Sequence, residues 1–337
     1  MGGMIKKLLQ LGILAVLVVV GWMTYFVTTS LPLPQTPCEF TLRHGSTLRA
    51  VASQLVEAHI LREPWSFTAL VRINGKAGEV KAGNYFLESN PTPLQLFRMI
   101  TRGDVSMNEI AFIEGWTFKR MRQALDENAA IRHETPQLTE RDILRRIGAL
   151  DETAEGLFYP DTYYFSSGMS DLVILKRAYQ AMQTRLAEAW TERDPLLPYL
   201  EPYEALIMAS IVEKETGRAG ERPLIAGVFI NRLRINMRLQ TDPTVIYGMG
   251  EQFDGNLRKQ DLLTDTPYNT YTRPGLPPTP IAMPGGSAIL AVLHPAATKA
   301  LYFVGKGDGT HKFSASLAEH NQAVARYQLH RKQGAQN

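Results

Sequence analysis

EALIMASIVEKETGRAGERPLIAGVFINRLRINMRLQTDPTVIYG, residues 204–248, is the longest stretch of the chain in which every local signal agrees. Residues 204–216 contain no Gly or Pro and are rich in Ala, Leu, Ile and Met, which predicts a buried helix. A second helix is predicted over 222–235, because Pro stands in its first turn and an apolar run follows. The sequence TDP at 241–243 is typical of an N-cap followed by Pro at the first position of a helix. The rest of the chain is organised around these elements.

Two carboxylates stand near the end of the first predicted helix, and helical geometry separates them. Glu215 continues the apolar stripe that Met208 and Ile211 form. Glu213 shares a face with the small Ala209 and is predicted to lie on the wetter side. A carboxyl at the end of an apolar stripe is desolvated, which raises its pKa and keeps it protonated, as a general acid near neutral pH requires. Glu215 is therefore the candidate catalytic acid.

Two alternatives give the same residues structural roles. Glu215 could end the stripe and pair with Arg218 or Arg222, as charged residues near helix ends commonly do. Thr241 or Asp242 could cap the following helix without any part in chemistry. Each alternative predicts a specific set of hydrogen bonds and ion pairs.

Four motifs follow one another along the chain: ASIVEKET (209–216), VFINRLRINMRLQTDPTVIYG (228–248), YNTYTRPGLPPTPIAMPG (268–285) and HPA (294–296). In this order, they resemble the endolytic murein transglycosylases of the MltG, or YceG-like, family over nearly the whole chain. In that family the second Glu of the VEKE motif is the catalytic acid, which corresponds here to Glu215. The chain departs from the usual proline-loop pattern at Thr279 and Met283.

The resemblance implies an enzyme that cuts the β-1,4 bond between N-acetylmuramic acid and N-acetylglucosamine within peptidoglycan strands. Glu215 would give its proton to the leaving O4 and then take the proton of the C6 hydroxyl, which attacks C1 and leaves a 1,6-anhydro end. Since the nucleophile belongs to the substrate, one carboxylate suffices. No cofactor or metal is implied, and class A penicillin-binding proteins are the implied partners in ending nascent strands. The candidate substrate-binding residues are Asn231, Gln240, Asp242, Asn269 and Tyr271.

Two other functions stay open at the level of the sequence. A muramidase-type hydrolase would use Glu215 and Asp242 as its two carboxylates, because an ordinary glycosidase needs a pair. A membrane-tethered scaffold would bind the cell wall and cut no bond. The reaction products distinguish the three.

The N-terminal segment predicts a membrane anchor. Residues 8–27 carry no charge and are long enough to span a bilayer as a helix. Lys6 and Lys7 precede this run, so residues 1–7 are predicted to stay in the cytoplasm and the remainder to lie outside it. The competing interpretation is a cleavable signal peptide, but the apolar run is long and no small-x-small cleavage site follows. We therefore expect a single-pass protein of the inner, or cytoplasmic, membrane with a periplasmic catalytic domain.

Composition excludes other classes of protein. The chain has 45% hydrophobic residues, as a globular protein does, and a net charge of +3, which gives no reason to expect a nucleic-acid partner. The single cysteine, Cys38, cannot form an intramolecular disulfide. The seven histidines form no HExxH or other metal-binding spacing, and His294 is predicted to be structural.

The predicted fold class is α+β, in several parts. The Pro-rich residues 28–38 are predicted to be an extended spacer. Residues 39–104 predict a strand, two helices and a strand, which resembles a LysM-like βααβ module and implies glycan binding, with a packed spacer as the alternative. Within it, Asn84 and Tyr85 are surface candidates by residue type. Residues 105–337 are predicted to form the mixed α+β catalytic domain.

An aromatic segment, EGLFYPDTYYF at 155–165, has two interpretations. Its rings could stack on sugars, although core packing is the usual fate of such runs.

Overall fold

The computed structural model of the protein describes residues 2–34, 36, 38–43, 45–102, 107–149, 153–166 and 168–329. It confirms the α+β class, with helices predominating and three two-stranded sheets among the described residues. The helices are α1 Gly2–Thr28, α2 Leu48–Glu57, α3 Trp65–Ile73, α4 Pro93–Arg102, α5 Phe118–Asp126, α6 Glu140–Ile147, α7 Asp171–Thr191, α8 Pro202–Glu215, α9 Arg222–Arg234, α10 Asp242–Met249, α11 Lys259–Leu263, α12 Gly286–Leu293 and α13 Leu317–Val324. The strands are β1 Cys38–Leu42, β2 Gly83–Leu87, β3 Met107–Ala111, β4 Thr162–Ser166, β5 Tyr302–Gly305 and β6 His311–Ser314.

The chain divides into two compact units. The first comprises Met1–Asn108 with Tyr164–Gly168, and the second comprises Glu109–Tyr163 with Met169–Asn337. In the first unit β1 pairs antiparallel with β2, so that Cys38 lies opposite Leu87, and α2 and α3 connect the two strands.

The core of the first unit includes residues from the predicted spacer (28–38) and from the segments on both sides of it. Leu31 is buried in this core, and its backbone N–H donates to the carbonyl of Pro91 at 2.7 Å. Phe26 and Val27, at the end of α1, pack against the same core. The predicted spacer therefore begins inside the packed unit, and a chain that starts at residue 39 would lack part of its core.

Tyr85 differs from its predicted surface position. Its ring is buried and stacks on Phe40 with 5.3 Å between the centroids, and its hydroxyl donates to the carbonyl of Lys81 at 2.6 Å. The alternation along β2 directs this ring into the core. The side chain of Asn84 lies outside the described part of the structure.

Helix α1 contains the one segment in the described residues that is long and apolar enough to cross a membrane, Gln10–Thr28. This length and composition fit either a membrane anchor or a signal sequence.

Helix α8 is the centre of the second unit and confirms the predicted buried helix. All side chains from 205 to 212 are buried, and α7, α9, α10 and α12 pack around them. Helix α9 lies close to the segment after α12, because Gly227 has no side chain: an added Cβ would lie 2.7 Å from the carbonyl oxygen of Ala296. These contacts fix the end of α8 relative to α9 and α10.

The aromatic segment at 155–165 belongs mainly to the core. Phe158, Tyr163 and Phe165 are buried, and Phe158 stacks on Phe118 with 5.0 Å between the centroids. The core interpretation is therefore the correct one for these three rings.

Candidate active site

A cavity of about 540 Å³ opens in the second unit between the end of α8, the start of α10 and the β5–β6 hairpin. It brings together residues from five separate parts of the sequence, including four of the predicted site residues. The polar groups on its wall include Glu215, Arg232, Gln240, Asp242, Tyr271 and His311.

Glu215 is the last residue of α8 and presents its carboxyl to this cavity. The hydroxyl of Thr241 donates a hydrogen bond to its Oε1. Burial raises the pKa of Glu215, and the nearby negative charge of Asp242 adds to this effect, whereas the hydrogen bond from Thr241 opposes it. The group therefore has the environment of a proton donor near neutral pH.

The structure does not support the alternative in which Glu215 pairs with an arginine. Arg222 forms an ion pair with Glu213 at 2.6 Å, and Arg218 donates to the carbonyl of Asp308 at 2.8 Å. Within the described residues, neither guanidinium bonds to Glu215.

Thr241 occupies the N-cap position of α10, as its sequence predicts, but its side chain makes no capping hydrogen bond. Its hydroxyl goes to Glu215 instead, and its backbone N–H donates to the Thr270 hydroxyl at 3.1 Å. The preceding Gln240 adopts a φ of 51°, an uncommon conformation for a residue with a side chain. This strained turn aims the Thr241 hydroxyl at the carboxyl, a pattern associated with functional sites.

Asp242 and Tyr271 form a second hydrogen-bonded pair on the cavity wall. The Tyr271 hydroxyl donates to Oδ1 of the exposed Asp242 at 2.6 Å. Burial, and then this hydrogen bond, raise the pKa of Tyr271. The pair offers a fixed acceptor at the cavity, which suits a sugar hydroxyl.

Arg232 supplies a buried positive charge beside the carboxyl. Its guanidinium donates to the carbonyls of Leu239 and Leu301, and its Cζ lies 5.3 Å from the centroid of the Tyr302 ring. These bonds hold the strand β5 and the segment before α10 against α9. Arg232 thus holds the cavity wall in place and also gives it a positive charge.

Asn231 and Asn269 are not placed at the cavity. The side-chain amide of Asn231 donates to the carbonyls of Thr298 and Ala300 at 2.8 and 3.2 Å. Asn269 is fully buried, and its amide donates to three backbone carbonyls between residues 261 and 264. This geometry argues against the substrate contacts predicted for both residues, because their polar groups are already used to hold loops.

Glu213 corrects another expectation, since it does not lie on a wet face. Its side chain is 5% exposed and pairs with Arg222, which is 7% exposed. The backbone N–H of Gly285 donates to its other oxygen at 3.0 Å. The start of α12 covers this face of α8, so Glu213 has a structural role in a buried ion pair.

Comparison with known proteins gives the same family as the motifs around Glu215. The sequence profile of the YceG-like family matches residues 40–326. The chain belongs to the YceG-like family. The endolytic murein transglycosylase of Bacillus subtilis (strain 168) is 31% identical over 317 residues, which cover 87% of this chain and 85% of that protein.

Two further similarities extend the comparison. The endolytic murein transglycosylase of Streptococcus pneumoniae serotype 2 (strain D39 / NCTC 7466) is 25% identical over 84% of this chain, which spans 57% of that longer protein. A crystal structure of a yceG-like protein from Listeria monocytogenes has a TM-score of 0.53 and 28% identity, and the match covers 86% of this chain and 99% of the other.

The YceG-like protein also has a second, larger cavity of about 770 Å³, with Glu155 on its wall. Glu155 accepts hydrogen bonds from the Phe118 N–H at 3.0 Å and from the Tyr247 hydroxyl at 3.1 Å. Burial raises its pKa to about 7. Because both carboxylate oxygens of Glu155 accept hydrogen bonds from the protein itself, we assign this residue a structural role in linking α5 to α10.

Asp126, His133 and Asp171 lie close enough together to suggest a metal site by distance alone. However, both oxygens of Asp171 accept hydrogen bonds from the backbone of the 134–135 segment, and its Oδ1 also accepts the N–H of Leu172 at 2.7 Å. The carboxylate thus serves as a local cap that ties two loops together.

The sequence did not single out the groups that the C-terminal hairpin of this YceG-like protein brings to the cavity. His311 and Tyr302 lie on the cavity wall, and Glu221 holds the His311 ring from behind. Glu221 and His311 are 90 residues apart and belong to no common short motif. The local signal in the sequence for this group was a histidine, His311, at the start of strand β6.

Proposed function

We propose that this protein is an endolytic lytic transglycosylase that cuts the β-1,4 bond between N-acetylmuramic acid and N-acetylglucosamine within peptidoglycan strands. The observation that carries the proposal is the position of the Glu215 carboxyl, which lies on the wall of a polar cavity, accepts a hydrogen bond from Thr241 and has a pKa raised by burial. The relatives named endolytic murein transglycosylase support the same reaction and substrate.

In the proposed reaction Glu215 is the catalytic acid. Burial raises its pKa and so favours the protonated form, which transfers a proton to the leaving O4 as the C1–O4 bond breaks. The C6 hydroxyl of the muramic acid attacks C1, which gives a 1,6-anhydro end without consuming water. If Glu215 is the one proton-transfer group, its carboxylate takes the proton of that hydroxyl in a later step.

We propose that Gln240, Asp242 and Tyr271 contact the sugar. All three line the cavity beside Glu215, and the pair formed by Asp242 and Tyr271 presents both a carboxylate and a phenol to it. The buried charge of Arg232 lies on the same wall and suits negative charge that develops during proton transfer.

Product analysis tests the reaction. The full-length protein in detergent is incubated with purified sacculi, and the released fragments are measured by mass spectrometry. We expect anhydro ends, each lighter than a reducing end by one water. Reducing ends would favour a hydrolase in which Asp242 is the second carboxylate, and intact strands would favour a binding scaffold.

We propose that α1 anchors the protein in the inner membrane, with the catalytic unit in the periplasm. The length and composition of Gln10–Thr28 support a span, and Lys6 and Lys7 support a cytoplasmic N-terminus. Class A penicillin-binding proteins are the proposed partners, because an enzyme that ends nascent strands near the membrane has to act where those strands are made.

The first unit is proposed to be a LysM-like glycan-binding module. Its order of strand, two helices and strand supports this proposal, as does a cavity of about 410 Å³ beside the β1–α2 turn. Leu42, Arg43, Ser46 and Lys81 line that cavity and combine apolar surface with hydrogen-bond donors. Sacculus pull-down with Arg43→Ala and Lys81→Ala variants tests it: wild-type retention by the double variant would argue against this site.

A further inference from the structure

The cavity that contains Glu215 also contains a second proton-transfer group, His311. This residue begins β6 and lines the cavity wall. Its ring meets the ring of Phe303 edge-on, with 5.5 Å between the centroids. The imidazole is therefore held in position at the same cavity as the proposed acid.

Glu221 holds His311 with both of its oxygens. Oε1 accepts the backbone N–H of His311 at 3.0 Å, and Oε2 lies 2.7 Å from Nδ1. Burial alone would raise the pKa of Glu221, but the hydrogen bonds from His311 outweigh it and hold the pKa below its ordinary value. Since an ionised carboxylate accepts and does not donate, Nδ1 is the nitrogen that carries a proton toward Glu221, and in the neutral imidazole this leaves the lone pair on Nε2.

We propose that His311, positioned by Glu221, is the general base that removes the proton from the C6 hydroxyl. This inference rests on the proposed function, in which Glu215 is the acid. A protonated Glu215 cannot accept the hydroxyl proton until it has given up its own. A separate base on the same wall removes that restriction and lets both transfers occur in one step.

The step balances in atoms and charge. The O6–C1 bond forms as the C1–O4 bond breaks, the C6 hydroxyl proton passes to Nε2 of His311, and the Glu215 proton passes to O4. The product is a 1,6-anhydro sugar and a free 4-hydroxyl. The imidazolium proton then returns through solvent to the Glu215 carboxylate, so the enzyme is restored without a net proton or water.

The charges around His311 favour this cycle. The Glu221 carboxylate stabilises the imidazolium that forms, because the two groups carry opposite charges. The titratable and charged groups on the cavity wall or beside Glu221 are Glu215, Arg218, Glu221, Arg232, Asp242, Tyr271, Tyr302 and His320.

The test is the effect of His311 on kcat and KM, measured by counting anhydro ends released from sacculi by the full-length chain. His311→Gln keeps a polar side chain at the cavity wall but has no basic nitrogen, so it should lower kcat by about 10²-fold and leave KM within about threefold of wild type. A His311→Gln enzyme whose kcat stays within about threefold of wild type would overturn the proposal.

Glu221→Gln provides a second variant that keeps a hydrogen-bond partner for His311. Loss of the carboxylate charge removes the group that stabilises the imidazolium, so kcat should fall while KM stays near the wild-type value. A merely structural role for Glu221 predicts that thermal stability falls while kcat of the folded protein is unchanged. His294→Gln replaces an exposed histidine outside the cavity; it is the matched control and should keep the wild-type kcat and KM.

Chemical rescue covers the case in which His311→Gln folds poorly. His311→Ala leaves space at the cavity wall, and added imidazole should restore part of its activity while leaving the wild type unchanged. No rescue in a folded His311→Ala protein would contradict the role of the ring as a base. If Glu215→Gln is inactive and His311→Gln is fully active, this inference fails and the proposed function stands.

Discussion

Replacing Glu215 by Gln should abolish most cleavage while the fold survives. Gln keeps the size of the side chain and its oxygen can still accept the Thr241 hydroxyl, but it has no proton to give to O4. General acid catalysis contributes at least about 10²-fold, so cleavage should fall by at least that factor. This loss corresponds to about 2.7 kcal/mol of transition-state stabilisation.

The same substitution that lowers activity should leave the stability of the fold unchanged or raise it. The raised pKa of Glu215 means that its ionised form is disfavoured in the fold, because burial removes water from the carboxylate. The free energy of unfolding contributed by this group is fully present below the unfolded pKa and is lost as pH rises through the folded pKa. Glu215→Gln should therefore unfold at the same or higher temperature than wild type at pH 8.

The assay follows anhydro ends released from sacculi, with thermal unfolding measured on the same samples. Glu155→Gln is the matched control, since it also neutralises a buried carboxyl of raised pKa at a cavity. Its activity should stay within about threefold of wild type. An active Glu215→Gln enzyme, or an inactive but folded Glu155→Gln enzyme, would refute the assignment of the acid to the α8 cavity.

Three further predictions concern other parts of the molecule. The pKa of Glu155 is raised from 4.5 to about 7, so its contribution to the free energy of unfolding should fall by about 3 kcal/mol as the pH rises from 4.5 to 7. Urea unfolding of Glu155→Gln should therefore depend less on pH in this range than that of wild type. Asp242→Asn should lower cleavage by about tenfold through loss of a sugar contact, whereas loss as complete as in Glu215→Gln would favour the two-carboxylate hydrolase. A reporter that is active only outside the cytoplasm, fused after residue 337, should be active, and activity of a cytoplasm-only reporter there would reverse the proposed topology.

The sequence was sufficient for the central helix and for the environment of Glu215. An uninterrupted apolar run is a strong helix signal; it predicts a helix over 204–216, and α8 extends over Pro202–Glu215. The same periodicity placed Glu215 at the end of a buried stripe, and its carboxyl has the raised pKa that this position implies. Both inferences depend on local geometry, which the sequence carries directly.

Inferences about side chains whose contacts come from distant parts of the sequence were less accurate. Helical periodicity placed Glu213 beside Ala209, but it cannot show that Arg222 and the start of α12 cover that face. Residue type suited Asn231 and Asn269 to sugar hydroxyls, yet an amide serves backbone carbonyls equally well. Thr241 does occupy the predicted N-cap position of α10, but its hydroxyl bonds to Glu215 and does not cap the helix.

Digestion of sacculi in water enriched in ¹⁸O tests the central claim most directly. A lytic transglycosylase forms the new bond from the C6 hydroxyl of its own substrate, so the anhydro ends made by the full-length protein should contain no ¹⁸O and should be lighter than reducing ends by one water. Reducing ends that carry one ¹⁸O at C1 would show that water is the nucleophile and would contradict the account.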